Sequence, residues 1–192
     1  MQIIIIPGFF GRKDYYNFLA EKLQQAGFIT KIIDLGYNAR GIKNSSEVAR
    51  QYFAKTSEKY DIIAHSLGGI ILKYLINSYP EIKNQINSVI FVSVPHEGSW
   101  VGLIFALFRS GRELLPWRKE IKQLSKVPLP KKTINFIAQS DFLIWPKKSS
   151  LLKGYIDIVI PKTNHSNIVN NEEFISKAIE FIKSGQDRIF LA

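Results

Sequence analysis

The chain has 192 residues, 46% hydrophobic and 22% charged, a balance that suits one folded domain with a sizeable core and excludes wholesale disorder. It holds no cysteine, which excludes disulfides, thiolate metal sites and a cysteine nucleophile. Lys and Arg number 26 against 16 Asp and Glu, a formal charge of +10, and 11 basic against 3 acidic residues fall between Arg109 and Lys153, so the excess is local.

The first residues, "MQIIIIPGFFG", run at once into a strand and a turn, leaving no succession of basic region, apolar region and cleavage site, so no secretory leader is expected. Strands are predicted where β-branched residues cluster, at 2–6, 28–35, 60–64, 86–94, 133–138 and 155–160. Between them, segments 14–26, 45–59, 67–79 and 171–183 carry apolar residues at helical spacing. Strand–helix alternation predicts an α/β fold, with about six mostly parallel strands and helices on both faces. Segment 97–131 departs from that pattern and reads as an insertion of two short helix-like pieces, broken at Ser110-Gly111 and again at 114–117. With no repeat and no linker, residues 1–192 are expected to form one domain. The apolar run from Trp100 to Phe108 is far short of the ~20 residues that a spanning helix needs. A cytoplasmic location is therefore expected, with peripheral membrane contact as an option for the basic segment.

The third strand runs straight into "AHSLGG" at 64–69. Parallel sheets bind ligands at the carboxyl ends of their strands, and a serine is presented there on a tight turn only if the residues two before and two after it are small. Ala64 and Gly68 flank Ser66 in that way. The alternative is an ordinary strand-to-helix turn with Ser66 as a helix cap. The stretch resembles the nucleophile elbow of the α/β-hydrolase superfamily, particularly its small single-domain serine lipases and esterases, with alanine in the first glycine position. That resemblance implies a minimal α/β-hydrolase fold and a nucleophilic Ser66.

A serine hydroxyl needs a neighbouring base, and the chain has three histidines. His65 adjoins the serine and is expected to point away from it in a packing role. His96, in "SVPHEGSW", resembles a Thr-Pro-His-x-Gly-Ser stretch of many lipases in which the histidine is structural. His165, between the last strand and the final helix, falls where the superfamily places its base. The superfamily's acid lies between serine and base in chain order, which leaves Asp141 and Asp157. Asp141 follows the strand at 133–138, at a carboxyl-end loop resembling the acid loop of small lipases, whereas Asp157 sits inside its strand; as an alternative, Asp141 is a simple turn residue. Two backbone amides are needed for the oxyanion. The resemblance assigns them to Leu67, after the nucleophile, and to Phe9 in "IPGFFG", similar to the His-Gly oxyanion loop of lipases with proline in the histidine position. A plain Pro-Gly turn is the alternative there.

Phe10, Trp100, Leu103 and Phe105 are expected to contact an acyl substrate. The run from Trp100 to Phe108 is too apolar all round for a solvated helix, so it forms either a lid or acyl groove, or a helix buried against the sheet. The cations around it, from Arg109 to Lys132 and again at Lys147, Lys148 and Lys153, suit an anionic membrane surface, at about 1 kcal/mol each, or a solvated basic face. Nucleic acid is disfavoured, for no recognition motif accompanies the charge. Neither phosphate-binding glycine loops nor metal-ligand spacings occur, so no cofactor or metal is expected. The function these features predict is a serine hydrolase of lipase or esterase type, cleaving lipid or acyl esters through a Ser-His-Asp triad and an acyl-enzyme. A thioesterase or lipid-remodelling acyl hydrolase, and a non-catalytic binding module of the same fold, are the alternatives.

Overall fold

In the computed structural model, which describes residues 1–53 and 59–184, six strands form one parallel sheet in the order β2-β1-β3-β4-β5-β6. The strands are β1 (Gln2–Ile6), β2 (Ile29–Ile32), β3 (Tyr60–His65), β4 (Ile86–Val92), β5 (Thr133–Ala138) and β6 (Ile156–Ile160). The helices are α1 (Asn17–Gln25), α2 (Ile42–Phe53), α3 (Leu67–Ser78), α4 (Arg109–Glu113), α5 (Lys119–Leu124) and α6 (Glu172–Lys183).

Runs such as "QIIII" are almost wholly apolar because the inner strands β1, β3, β4 and β5 are buried on both faces, whereas the edge strands β2 and β6 are partly exposed. Ile4 and Ile6 of β1 point to a core shared with α2, α3 and α5, while Ile3 and Ile5 point to one shared with α1 and α6. Strand order runs outward in opposite directions from β1 and β3, which pair directly, Ile6 beside Ala64. The loops leaving those two strands therefore meet at the topological switch point, where open α/β sheets bind ligands. Among the described residues no helix is long and apolar enough to cross a membrane.

The first predicted helix begins with a 3-10 turn, Lys13–Tyr16, before α1. Residues 54–58 of the predicted helix 45–59 lie outside the described residues. Two expectations for the insertion are corrected. Ser110-Gly111 does not break a helix but lies inside α4. Ser110 Oγ donates to the Asn38 carbonyl and accepts from the Gly41 amide, and Gly111 packs so closely under Phe105 that a Cβ would lie 2.2 Å from its carbonyl oxygen. Residues 100–108, for their part, are not a helix buried against the sheet. They form a 3-10 turn, Trp100–Leu103, followed by further turns in which only Gly102 is buried, because this segment packs on the loops after β1 and β5.

Candidate active site

Ser66 sits between β3 and α3 with φ 52° and ψ −124°, a conformation that a non-glycine residue adopts only under constraint from its surroundings. The turn is tight because glycines let three backbones converge. A Cβ on Gly68 would lie 2.3 Å from the Ile6 carbonyl oxygen, and one on Gly8 would lie 2.8 Å from Ser66 Cβ. The Ser66 amide donates to the Val92 carbonyl at 2.9 Å, which ties the turn to β4.

Ser66 Oγ lies 2.8 Å from His165 Nε2, and His165 Nδ1 lies 2.8 Å from Asp141 Oδ2. The carboxylate fixes the tautomer: Nδ1–H donates to Asp141, so the Nε2 lone pair faces the serine hydroxyl. Asp141 is itself held by the amides of Leu143 and Ile144, which donate to Oδ1 at 2.9 and 3.2 Å. Each of these three side chains comes from the carboxyl end of a different strand, after β3, β5 and β6. Asp157 turns elsewhere and accepts from Asn135 Nδ2 at 2.6 Å and from the Leu152 amide. His96 is buried, with Nε2 3.2 Å from Asn135 Oδ1. Burial, reinforced by the Lys73 charge, holds its pKa well below the usual value.

His65 does more than pack. Its Nε2–H donates to the His165 carbonyl at 3.0 Å, and its Nδ1 accepts from the Tyr16 hydroxyl at 2.8 Å. Tyr16 Oη in turn accepts from the Gly8 amide at 2.9 Å. A continuous chain therefore runs from the loop after β1 to the loop that carries His165. Burial, and secondarily the charge of His165, push the His65 pKa down to about 3, and burial raises that of Tyr16, so both stay neutral near pH 7. Asn38, with φ 55°, braces the same loop by donating from Nδ2 to the Pro7 carbonyl at 3.2 Å. Neither Tyr16 nor Asn38 carries a signal in the sequence. Each is a lone polar residue in a turn whose partner is fixed only by tertiary contact.

The amides of Phe9 and Leu67 donate to no acceptor among the described residues. Beside Ser66 opens an apolar cavity of about 250 Å³, walled by Phe9, Phe10, Tyr15, Val101, Phe105 and Leu143. Phe10 and Phe105 line this cavity. Trp100 and Leu103 do not: in a 3-10 turn residues i and i+3 eclipse, so both lie on the outer side while Val101 and Gly102 face the cavity. The Phe9 ring meets Phe105 and Phe108 edge-on, with centroids 5.4 and 5.7 Å away. Among the described residues no group of three or more His, Asp or Glu is placed to hold a metal ion.

Neither a family model nor a curated protein matches this sequence. Solved structures do match. A metagenomic carboxyl esterase superposes with a TM-score of 0.63 at 15% identity, over 73% of this chain and 50% of its own. Aspergillus fumigatus lipase B gives 0.81 at 15% identity, over 93% and 51%. An extracellular α/β-hydrolase from a Paenibacillus species gives 0.64 at 14% identity, over 95% and 97%. The chain therefore spans about half the length of the first two and nearly all of the third. It has the α/β-hydrolase fold.

Proposed function

We propose that the chain is a serine hydrolase of carboxylic esters. The observation that carries this reading is the pair of 2.8 Å contacts running from Asp141 through His165 to a serine on a strained turn at the wall of an apolar cavity.

In this reading Ser66 Oγ attacks the ester carbonyl while His165 Nε2 takes its proton, and Asp141 stabilises the imidazolium that forms. The amides of Phe9 and Leu67 donate to the developing oxyanion. His165 then returns the proton to the departing alcohol, leaving the acyl group esterified to Ser66. Water, deprotonated by the same imidazole, releases the acid. The aromatic and aliphatic walls favour an acyl chain over a charged group, and segment 97–131 serves as one wall of the acyl site. Esterases and lipases among the structural neighbours add weight to an ester substrate.

Hydrolysis of p-nitrophenyl esters of graded acyl length by wild type and Ser66→Ala tests the proposal. Turnover in the wild type, with loss of several orders of magnitude in the variant, is expected. Parallel thioesters rank the two acyl classes. A folded wild type that hydrolyses neither, and whose Ser66 fails to react with a fluorophosphonate, would establish a non-catalytic module instead.

A further inference from the structure

The chain's three tryptophans come from three separate segments and meet on the surface. Trp100 lies 4.7 Å from Trp117 and 6.4 Å from Trp145, ring centroid to centroid, and all three are between 40% and 60% exposed. The same segments carry Ile104 at 76%, Leu107 at 93% and Phe142 at 79% exposure, four and seven residues after Trp100 and three before Trp145. Isolated exposed apolar side chains are ordinary, but a contiguous group of this size marks a surface that is covered in use.

Its position and charge identify what covers it. Trp100 precedes Val101, and Phe142 precedes Leu143; Val101 and Leu143 wall the cavity beside Ser66, so the patch is the rim of that cavity. The Arg112 guanidinium donates to the carbonyls of Ala106 and Leu107 at 2.7 and 3.4 Å, which fixes a positive charge beside the most exposed apolar residue. Lys147 and Lys148 are exposed on the turn that follows Trp145-Pro146. Nearby acids are already engaged: Glu113 pairs with Arg109, Glu120 with Arg118, and Glu97 with Lys153. Among the described residues Arg112, Lys147 and Lys148 have no carboxylate within ion-pair distance. A second copy of a chain with a formal charge of +10 would bring like charges together. A nucleic acid would find stacking surfaces in the tryptophans but nothing to stack on in Ile104 and Leu107. Exposed apolar side chains and indoles on segments that also carry unpaired cations match a layer whose interior is hydrocarbon and whose surface is anionic.

We propose that this rim docks on an anionic lipid bilayer, with the indoles and Leu107 at the headgroup boundary and Arg112, Lys147 and Lys148 against the headgroups. The cavity then opens toward lipid rather than water. The inference rests on the proposed ester hydrolysis only for the nature of what enters the cavity; docking itself requires no chemistry.

Because every tryptophan of the chain lies in the patch, intrinsic fluorescence reports docking directly. The Ser66→Ala variant, which leaves lipid intact, is titrated with phosphatidylglycerol and with phosphatidylcholine vesicles at low and high salt. Emission should shift to the blue and resist acrylamide quenching on phosphatidylglycerol, and much less on phosphatidylcholine. The affinity should fall as the Debye length shrinks from ~10 Å at 0.1 M to ~3 Å at 1 M salt. At about 1 kcal/mol per cation, or about fivefold each, Lys147→Gln with Lys148→Gln should weaken binding roughly 25-fold. Ile104→Ser with Leu107→Ser should weaken it more than about tenfold, and at such exposed positions the fold is not at stake. No shift on phosphatidylglycerol at low salt, equal affinity for both lipids, or unchanged binding by the lysine variant would overturn the proposal. So would a shift that follows protein concentration without lipid, since that assigns the patch to self-association. Hydrolysis of a soluble ester by the wild type is scored separately, so loss of one reading leaves the other standing.

Discussion

Replacing Tyr16 by phenylalanine keeps the ring and removes one oxygen. That oxygen lies 2.9 Å from the Gly8 amide and 2.8 Å from His65 Nδ1, in a residue with no exposed surface. Water cannot take its place without repacking, so two buried polar groups lose their partner at about 1–3 kcal/mol each. A loss of about 2–6 kcal/mol is expected, or a melting temperature lower by roughly 4–24 °C for a chain of this size. The effect on turnover is separate. The freed groups border the Phe9 amide at one end and the His165 loop at the other, and a displacement of about 1 Å at a reacting group costs on the order of 100-fold. We expect kcat to fall about 10- to 100-fold with KM unchanged, because the cavity wall is intact. The assay is p-nitrophenyl butyrate hydrolysis well below the melting temperature, with active sites counted by fluorophosphonate, alongside urea unfolding. His65→Gln, which keeps a donor for the His165 carbonyl, should lose less than His65→Ala. A folded Tyr16→Phe enzyme with wild-type kcat per titrated site would refute the argument.

Asp141→Asn should cut turnover sharply in a folded protein while Asp157→Asn leaves it near wild type; the reverse pattern in steady-state kinetics would move the acid to Asp157. Gly68→Ala should cost about 1–3 kcal/mol or more in urea unfolding, since its Cβ would lie 2.3 Å from backbone oxygen that cannot rotate away. Lys73 is buried with no hydrogen-bond partner for its side-chain nitrogen among the described residues, and burial lowers its pKa from 10.5 to about 7. Between those values the unfolded chain binds a proton that the folded chain does not, so Lys73 makes stability rise with pH from about 7 to 10.5. Lys73→Met should raise the melting temperature at pH 7 and flatten that rise; thermal scans across the window check both.

Fold and site were legible in the sequence to different depths. Strands such as "QIIII" and "TINFIA" stand out because burial on both faces leaves them rich in β-branched and apolar residues. The small residues around Ser66 were legible because backbone crowding admits nothing else. His165 and Asp141 were singled out through the resemblance, which supplies the chain order and the strands they follow. What could not be read was how polar side chains in turns find each other. His65 passed for a packing residue because its partners, Tyr16 and the carbonyl of His165, are 49 and 100 residues away. The insertion stayed open between a lid or groove wall and a buried helix for a related reason. Its apolar residues suggested a helix, but close packing at Gly102 and Gly111 bends the segment into turns, and Trp100 and Leu103 then face outward.

The edge-on rings of Phe9, Phe105 and Phe108 bear on how such a protein can change over generations. The residue proposed to offer an amide to the oxyanion shares its side-chain surroundings with the wall that would sort acyl chains. A substitution at Phe105 that widens the cavity also removes a support for Phe9, so selectivity and rate are not separately adjustable. A double-mutant cycle between the two positions should give a coupling of about 0.5–3 kcal/mol in kcat/KM. New substrate preferences would therefore arise through compensated pairs of changes, and single-site screens of the cavity wall would miss most of them.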